Sequence, residues 1–195
     1  MPVPSRRVRQ QQTRQALLDA ARVVVARRGI DGASHREIAA EAGMTIGAIY
    51  ANFANKADLI VSLMDDVASD GTMLSSDSPS VQACLEDLGR RLVAQADSQP
   101  ELTLLSMEFA LASMRDPDIR SRRLPHREAE HAAYARVLEQ IASRSGERLP
   151  LPAGEFVEVV ANLGWSLLCS RAMLGPSVIT EELVVKALGL LIQGA

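Results

Sequence analysis

Residues 34–53, SHREIAAEAGMTIGAIYANF, hold the densest set of side chains able to do recognition chemistry in this chain. Ser34 followed three residues later by Glu37 is the pattern of a capping box that opens a short helix. Ile38, Ala39 and Ala42 supply its buried side, Gly43 a turn that tolerates positive φ, and Thr45 the cap of a second short helix that turns Ile49 and Phe53 inward. Two short helices joined across a glycine turn form a helix-turn-helix pattern. The outer side of the second helix displays Thr45, Ile46, Gly47, Tyr50 and Asn52 without a long acidic side chain, so it could enter a DNA major groove. Hydroxyls and helix N-termini suit phosphates, Arg36 suits guanine, Asn52 adenine, and Ile46 a thymine methyl. Each residue also has a plainer reading: Ser34 and Thr45 as helix caps, Tyr50 as a core aromatic, Arg36 and Asn52 as solvated helix positions.

These residues need a frame. Leu17, Leu18, Ala21, Val24 and Val25 fall on one stripe and predict a first helix over 13–28, ended by Gly29. Asn55 caps a fourth helix over 56–70 carrying Leu59, Ile60, Leu63 and Val67, and residues 71–78 form a loop. Pro79, Pro100 and Pro117 mark helix starts for segments 79–97, 100–115 and 117–145, with Pro125 kinking or restarting the last. Two apolar helices, 153–174 and 180–193, follow across a Gly175-Pro176 break. The fold class is all-α, about nine helices without a convincing strand.

The 195 residues carry 47% hydrophobic and 23% charged side chains, which excludes a disordered chain and a mini-protein needing staples. Cys84 and Cys169 have no spacing that signals a disulfide framework or a zinc site. The basic N-terminus lacks an apolar segment behind it and no run reaches membrane length, so a cytoplasmic protein with no membrane partner is expected. Charge is uneven: residues 1–60 hold nine Lys or Arg against five acids, while the remainder holds 12 against 19. A basic quarter on an acidic protein suits a phosphate partner.

The run TRQALLDAARVVVARRGIDGASHREIAAEAGMTIGAIYANFANKADLI, residues 13–60, resembles the DNA-binding domain of TetR-family transcriptional regulators. Its telling parts are the initial Thr-Arg, the Ala-Ala of the first helix, IAAEAG, Tyr50 with Phe53, and Lys56 with Leu59. The resemblance implies that Ser34, Thr45, Tyr50 and Lys56 touch phosphates and that Arg36, Ile46, Gly47 and Asn52 face base edges. It implies a helix-turn-helix domain over 1–60, with a basic tail at 1–12, and a ligand-binding and dimerisation domain over 61–195. Position 51 is Ala where the family carries a larger residue, which points to sparse base readout and more reliance on DNA shape. Arg6, Arg7 and Arg9 read as a disordered solubilising tail, or as an arm for a minor groove.

Residues 79–195 show no GxSxG, Walker, GxGxxG or HExxH pattern, so no catalytic residue, cofactor or metal site is expected. His126 and His131 stand five residues apart, about 140° around a helix, and point away from one another. The nearly all-apolar helix LTLLSMEFALASM supplies Met107, Leu111 and Met114, which with Tyr134, Leu138, Trp165 and Cys169 could line a ligand cavity or fill a core. Phe156, Val160, Leu163 and Leu167, then Leu183, Val184, Ala187, Leu188 and Leu191, exceed what one small bundle buries and predict a four-helix homodimer contact. The expected protein is a regulator, most often a repressor, released from a palindromic double-stranded operator by a small apolar or amphipathic effector. The rivals are an α-helical hydrolase or metal protein and a helical scaffold that does not use its helix-turn-helix.

Overall fold

The computed structural model describes residues 5–69 and 74–192, and nine α-helices followed by one 3-10 turn account for almost all of them, with no strand among the described residues. They divide into two compact units: 5–69 with 104–124, and 74–103 with 125–192. The boundary expected at residue 60 therefore falls inside a helix, and the first unit also takes in a segment from mid-chain.

In the first unit, α1 spans Arg6–Gly32 and buries the predicted stripe of Leu17, Leu18, Ala21, Val24 and Val25. It begins earlier than the apolar pattern indicates. Ser5 caps it by accepting from the Val8 amide at 3.4 Å, and RRVRQQQT contains no helix breaker, so good propensity and a cap extend the helix without any apolar stripe. From residue 6 onward the basic tail is helix, not a disordered arm; residues 1–4 lie outside the described residues. Gly29 interrupts α1 with φ at +72°, where a Cβ would also meet the Glu108 carboxylate at 3.1 Å. Short α2 (His35–Glu41) and α3 (Ile46–Asn52) flank Gly43, whose φ is +64°. α4 (Lys56–Ser69) buries Leu59, Ile60 and Leu63. The later part of α6 (Pro100–Arg115) and the start of α7 (Pro117–Ser145) complete the unit with buried Leu105, Phe109 and Ile119.

The second unit is built on α5 (Val81–Ser98), the rest of α7, α8 (Ala153–Leu174) and α9 (Glu181–Gly189). Leu85, Leu138, Ile141, Phe156, Val184 and Leu188 are fully or almost fully buried in one apolar cluster there. Pro100 and Pro117 open their helices as expected. Pro79 does not, because Ser80 takes the cap by accepting from Ala83 and α5 starts at Val81. Pro125 neither ends nor restarts α7. Gly175, with φ at +92°, stops α8, and Thr180 caps α9. The expected loop at 71–78 is described only from residue 74, and residue 193 of the last predicted helix is outside the described residues.

α5 and α9 cross closely because both carry glycine where they meet. A Cβ on Gly89 would stand 3.0 Å from the Val185 Cα, and one on Gly189 would stand 3.1 Å from Glu86 Cγ. Gly89→Ala gains about 1 kcal/mol of helix propensity, but overpacking against backbone costs about 1–3 kcal/mol. A net loss is expected, read as a melting temperature lowered by a few degrees; an unchanged or raised value would show that the crossing yields.

Candidate nucleic-acid interface

α2 and α3 are held by the residues that the apolar spacing assigns to the inner side: Ile38, Ala39, Ile49 and Phe53 are each at most 3% exposed. The capping box is present. Ser34 Oγ accepts from the Glu37 amide at 3.2 Å and donates to Glu37 Oε2 at 2.9 Å. This bonding, with help from Arg28, holds the Glu37 carboxyl below its usual range. Thr45 sits at the cap position of α3, yet its hydroxyl makes no capping bond and is exposed.

The outer side of α3 presents Ile46 at 44% exposure and Tyr50 at 61%, beside exposed Gly47 and Ala51. Tyr50 is thus a surface aromatic, not a core one. Arg36 is exposed on α2 and has no hydrogen-bond or ion-pair partner among the described residues. Asn52 is half-buried, and its amide donates back to the Ala48 carbonyl at 2.8 Å, so this base-edge candidate is turned onto its own helix. Lys56 Nζ lies 3.4 Å from the Asp31 carbonyl. At the start of α4, Asn55 Oδ1 accepts from the Asp58 amide at 2.8 Å, and Asp58 itself accepts from the Ala54 amide at 2.9 Å. The chain's own carboxylate answers the helix N-terminus.

Much of the N-terminal positive charge is paired internally. Arg22 bonds Asp66 at 3.0 Å, Arg27 bonds Glu41 at 3.0 Å, and Arg28 bonds Glu37 at 3.2 Å. Arg14, which the sequence offers only as part of the initial Thr-Arg, ties three helices: it donates to the Asn52 carbonyl at 2.7 Å and Ser62 Oγ at 2.6 Å, and its guanidinium lies 4.4 Å from the Phe53 ring centroid. A basic residue shortly before an apolar stripe is the only sequence signal for this role.

The ligand-cavity candidates are divided between the units. Met107 is half-buried, Leu111 exposed and Met114 79% exposed in the first; in the second, Tyr134 is half-buried, Leu138 and Cys169 are buried, and Trp165 is 45% exposed. A cavity of about 170 Å³ in the first unit includes Leu111 among its lining residues. One of about 280 Å³ in the second is bounded by Asp97, Thr103, Leu168, Arg171 and Pro176 and takes in no residue of the candidate set. His131 Nδ1 stands 2.8 Å from Glu158 Oε1, and Arg127 grips the same carboxylate, lowering its pKa. Phe156, Val160, Val184 and Leu188 belong to the unit's own core, which corrects their placement at a two-fold contact: helices of this length bury one stripe within the bundle. Leu163, Leu167, Ala187 and Leu191 are half-buried. Leu183 stays exposed, and with Val159, Trp165 and Met173 it leaves apolar surface on the outer sides of α8 and α9, continued by Leu190 of the 3-10 turn.

An acid-free α3 face carried on a packed three-helix frame defines a helix-turn-helix protein of the DNA-binding class. Residues 17–63 match the family described as bacterial regulatory proteins, tetR family. The match is confined to this N-terminal segment. The whole fold is similar to solved structures: a protein described as a transcriptional regulator from Pseudomonas aeruginosa PAO1 (23% identity, TM-score 0.76, covering 94% of this chain and 90% of that one); one described as a TetR-family regulator from Mesorhizobium loti (20%, 0.71, 97% and 96%); and FadR from Bacillus subtilis in complex with stearoyl-CoA (17%, 0.73, 93% and 98%). Comparison with curated proteins gives no match. None of the described helices is long and apolar enough to cross a membrane.

Arg36→Ala is expected to relax base preference at one position of each half-site and to cost about 1–3 kcal/mol on the preferred duplex alone. Equal loss on preferred and scrambled duplexes would make Arg36 a backbone contact.

Proposed function

We propose that this chain is a cytoplasmic, non-enzymatic transcriptional regulator that binds a palindromic operator as a homodimer and is released by a small apolar or amphipathic effector. The exposed, acid-free side of α3, with Ile46, Gly47 and Tyr50 outward and Arg36 unpaired beside it, carries the DNA-binding reading. Ser34, Thr45 and Lys56 supply the phosphate contacts of this reading. The apolar outer sides of α8 and α9 support the homodimer, since such surface is rarely left to water. Two copies then set their recognition helices about 34–36 Å apart in successive major grooves. The effector part draws on the family matched by the N-terminal segment and on the like-folded B. subtilis FadR, which was solved with stearoyl-CoA. Residues 61–195 furnish the effector site and the two-fold contact in this reading.

The test is selection of bound duplexes from a random pool, followed by binding of the enriched duplex over a range of salt. Enrichment of a two-fold symmetric site, with affinity falling steeply as salt rises, is expected. Absence of both enrichment and salt-dependent binding would leave a helical scaffold.

A further inference from the structure

His35 belongs neither to the apolar core nor to the DNA-facing residues named so far. It is the first residue of α2, directly after the cap, and its ring is half-buried. Its centroid lies 5.4 Å from that of Tyr50 with the planes at 88°, an edge-to-face pair. Its Nε2 is buried and has no hydrogen-bond partner.

Resting on the DNA-binding reading, we infer that His35 is a positioning residue for operator binding: its neutral imidazole, packed edge to face on Tyr50, fixes the otherwise exposed phenol on the DNA side of α3. Tyr50 needs such a support. At 61% exposure it has little packing of its own, and an aromatic that must meet a phosphate in one orientation binds better when that orientation is already populated. The His35 ring provides the support from the preceding helix.

The support depends on the ring's charge. The groups facing His35 are the Tyr50 phenol from α3 and the Lys56 ammonium from α4, while Arg36 and Glu37 follow it on α2. Burial, and then Lys56, hold its pKa below 6.5. A protonated ring would carry a buried N–H without an acceptor beside a cation, and leaving the pocket relieves both penalties. The neutral ring therefore stays in place at neutral pH, and acid releases it.

The experiment uses full-length protein and the duplex enriched by the wild type. His35→Ala is expected to lose affinity about three- to tenfold, the range of one aromatic pair. His35→Phe keeps the ring and removes the partnerless nitrogen, so it should bind within about twofold of wild type. Adding His35→Ala to Tyr50→Ala should cost nothing further. The ratio of wild-type to His35→Phe affinity should be flat above about pH 6.5 and fall once acid protonates the ring below it. DNA phosphates near Lys56 would push the other way, so a ratio that rises in acid, or one that stays constant, overturns the inference. Full affinity in His35→Ala, or equal loss in His35→Phe, overturns it while the DNA-binding reading stands. If His35→Ala fails to fold by circular dichroism, the His35→Phe profile decides alone. Failure of the wild type to enrich any duplex removes the reading and this inference together.

Discussion

Arg14→Ala is expected to lower the stability of the DNA-binding unit by about 3 kcal/mol, from two charge-assisted hydrogen bonds and one cation–π interaction in a half-buried setting. The guanidinium reaches from α1 to the last residue of α3 and to α4, over the Phe53 ring. Its removal frees the end of the recognition helix, so operator affinity should fall along with the melting temperature. Arg14→Lys is not a rescue, because a single ammonium cannot hold a carbonyl and a hydroxyl while stacking flat on a ring. Thermal denaturation followed by helical circular dichroism checks this, and a melting temperature within a degree of wild type would show the bonds to be incidental.

The second large effect is expected at Asp97. Arg171 on α8 is only 9% exposed, and its Nε and Nη2 donate to the two Asp97 oxygens at 3.0 and 2.8 Å while Nη1 donates to the Ile179 carbonyl. Asp97→Ala leaves a buried guanidinium with one carbonyl partner. Removing one partner of a buried pair costs about 3–5 kcal/mol, and the outward half of this pair is solvated, so about 2–3 kcal/mol is expected. The Asp97 carboxyl is held below its ordinary 3.8 by the Arg171 hydrogen bonds. With the folded pKa depressed, the stabilisation is complete above about pH 4 and disappears as pH falls through the folded value. Wild type should therefore lose stability in acid more steeply than Asp97→Ala, and parallel acid profiles in urea melts would dissociate the pair from the fold's stability.

The helix-turn-helix was legible because its determinants are local. Ser34 with Glu37, Gly43, and the spacing of Ile38, Ile49 and Phe53 lie within 20 residues and each admits few conformations. The helix starts at Pro100 and Pro117 were legible for the same reason. The extension of α1 to Arg6 was not, since solvent-facing helix has no apolar period and only Ser5 and propensity announce it. Asn52 shows another limit: residue type says what a side chain can bond, and here its own helix takes the bond first. The split of α8 and α9 into core and outer stripes was hidden as well. Both helices are apolar on several sides, so composition could not tell Phe156 and Val184, which face inward, from Val159 and Leu183, which do not. Arg171 in a mostly apolar helix gave no hint that Asp97, 74 positions away, would meet it.

The internal pairing of Arg22, Arg27 and Arg28 bears on how the protein is distributed along a chromosome. Attraction to any stretch of duplex scales with the phosphates a protein neutralises, and each phosphate left unneutralised reduces the steepness of the salt dependence by about 0.9 in the exponent. A chain of formal net charge -3 whose Arg22, Arg27 and Arg28 are committed to Asp66, Glu41 and Glu37 has fewer cations left for indiscriminate binding than its N-terminal composition suggests. Less of it is then titrated by the millions of irrelevant sites that compete with any one target. On the proposed reading, fewer copies per cell would keep the target occupied, and an effector would need to act on only that number to change the output.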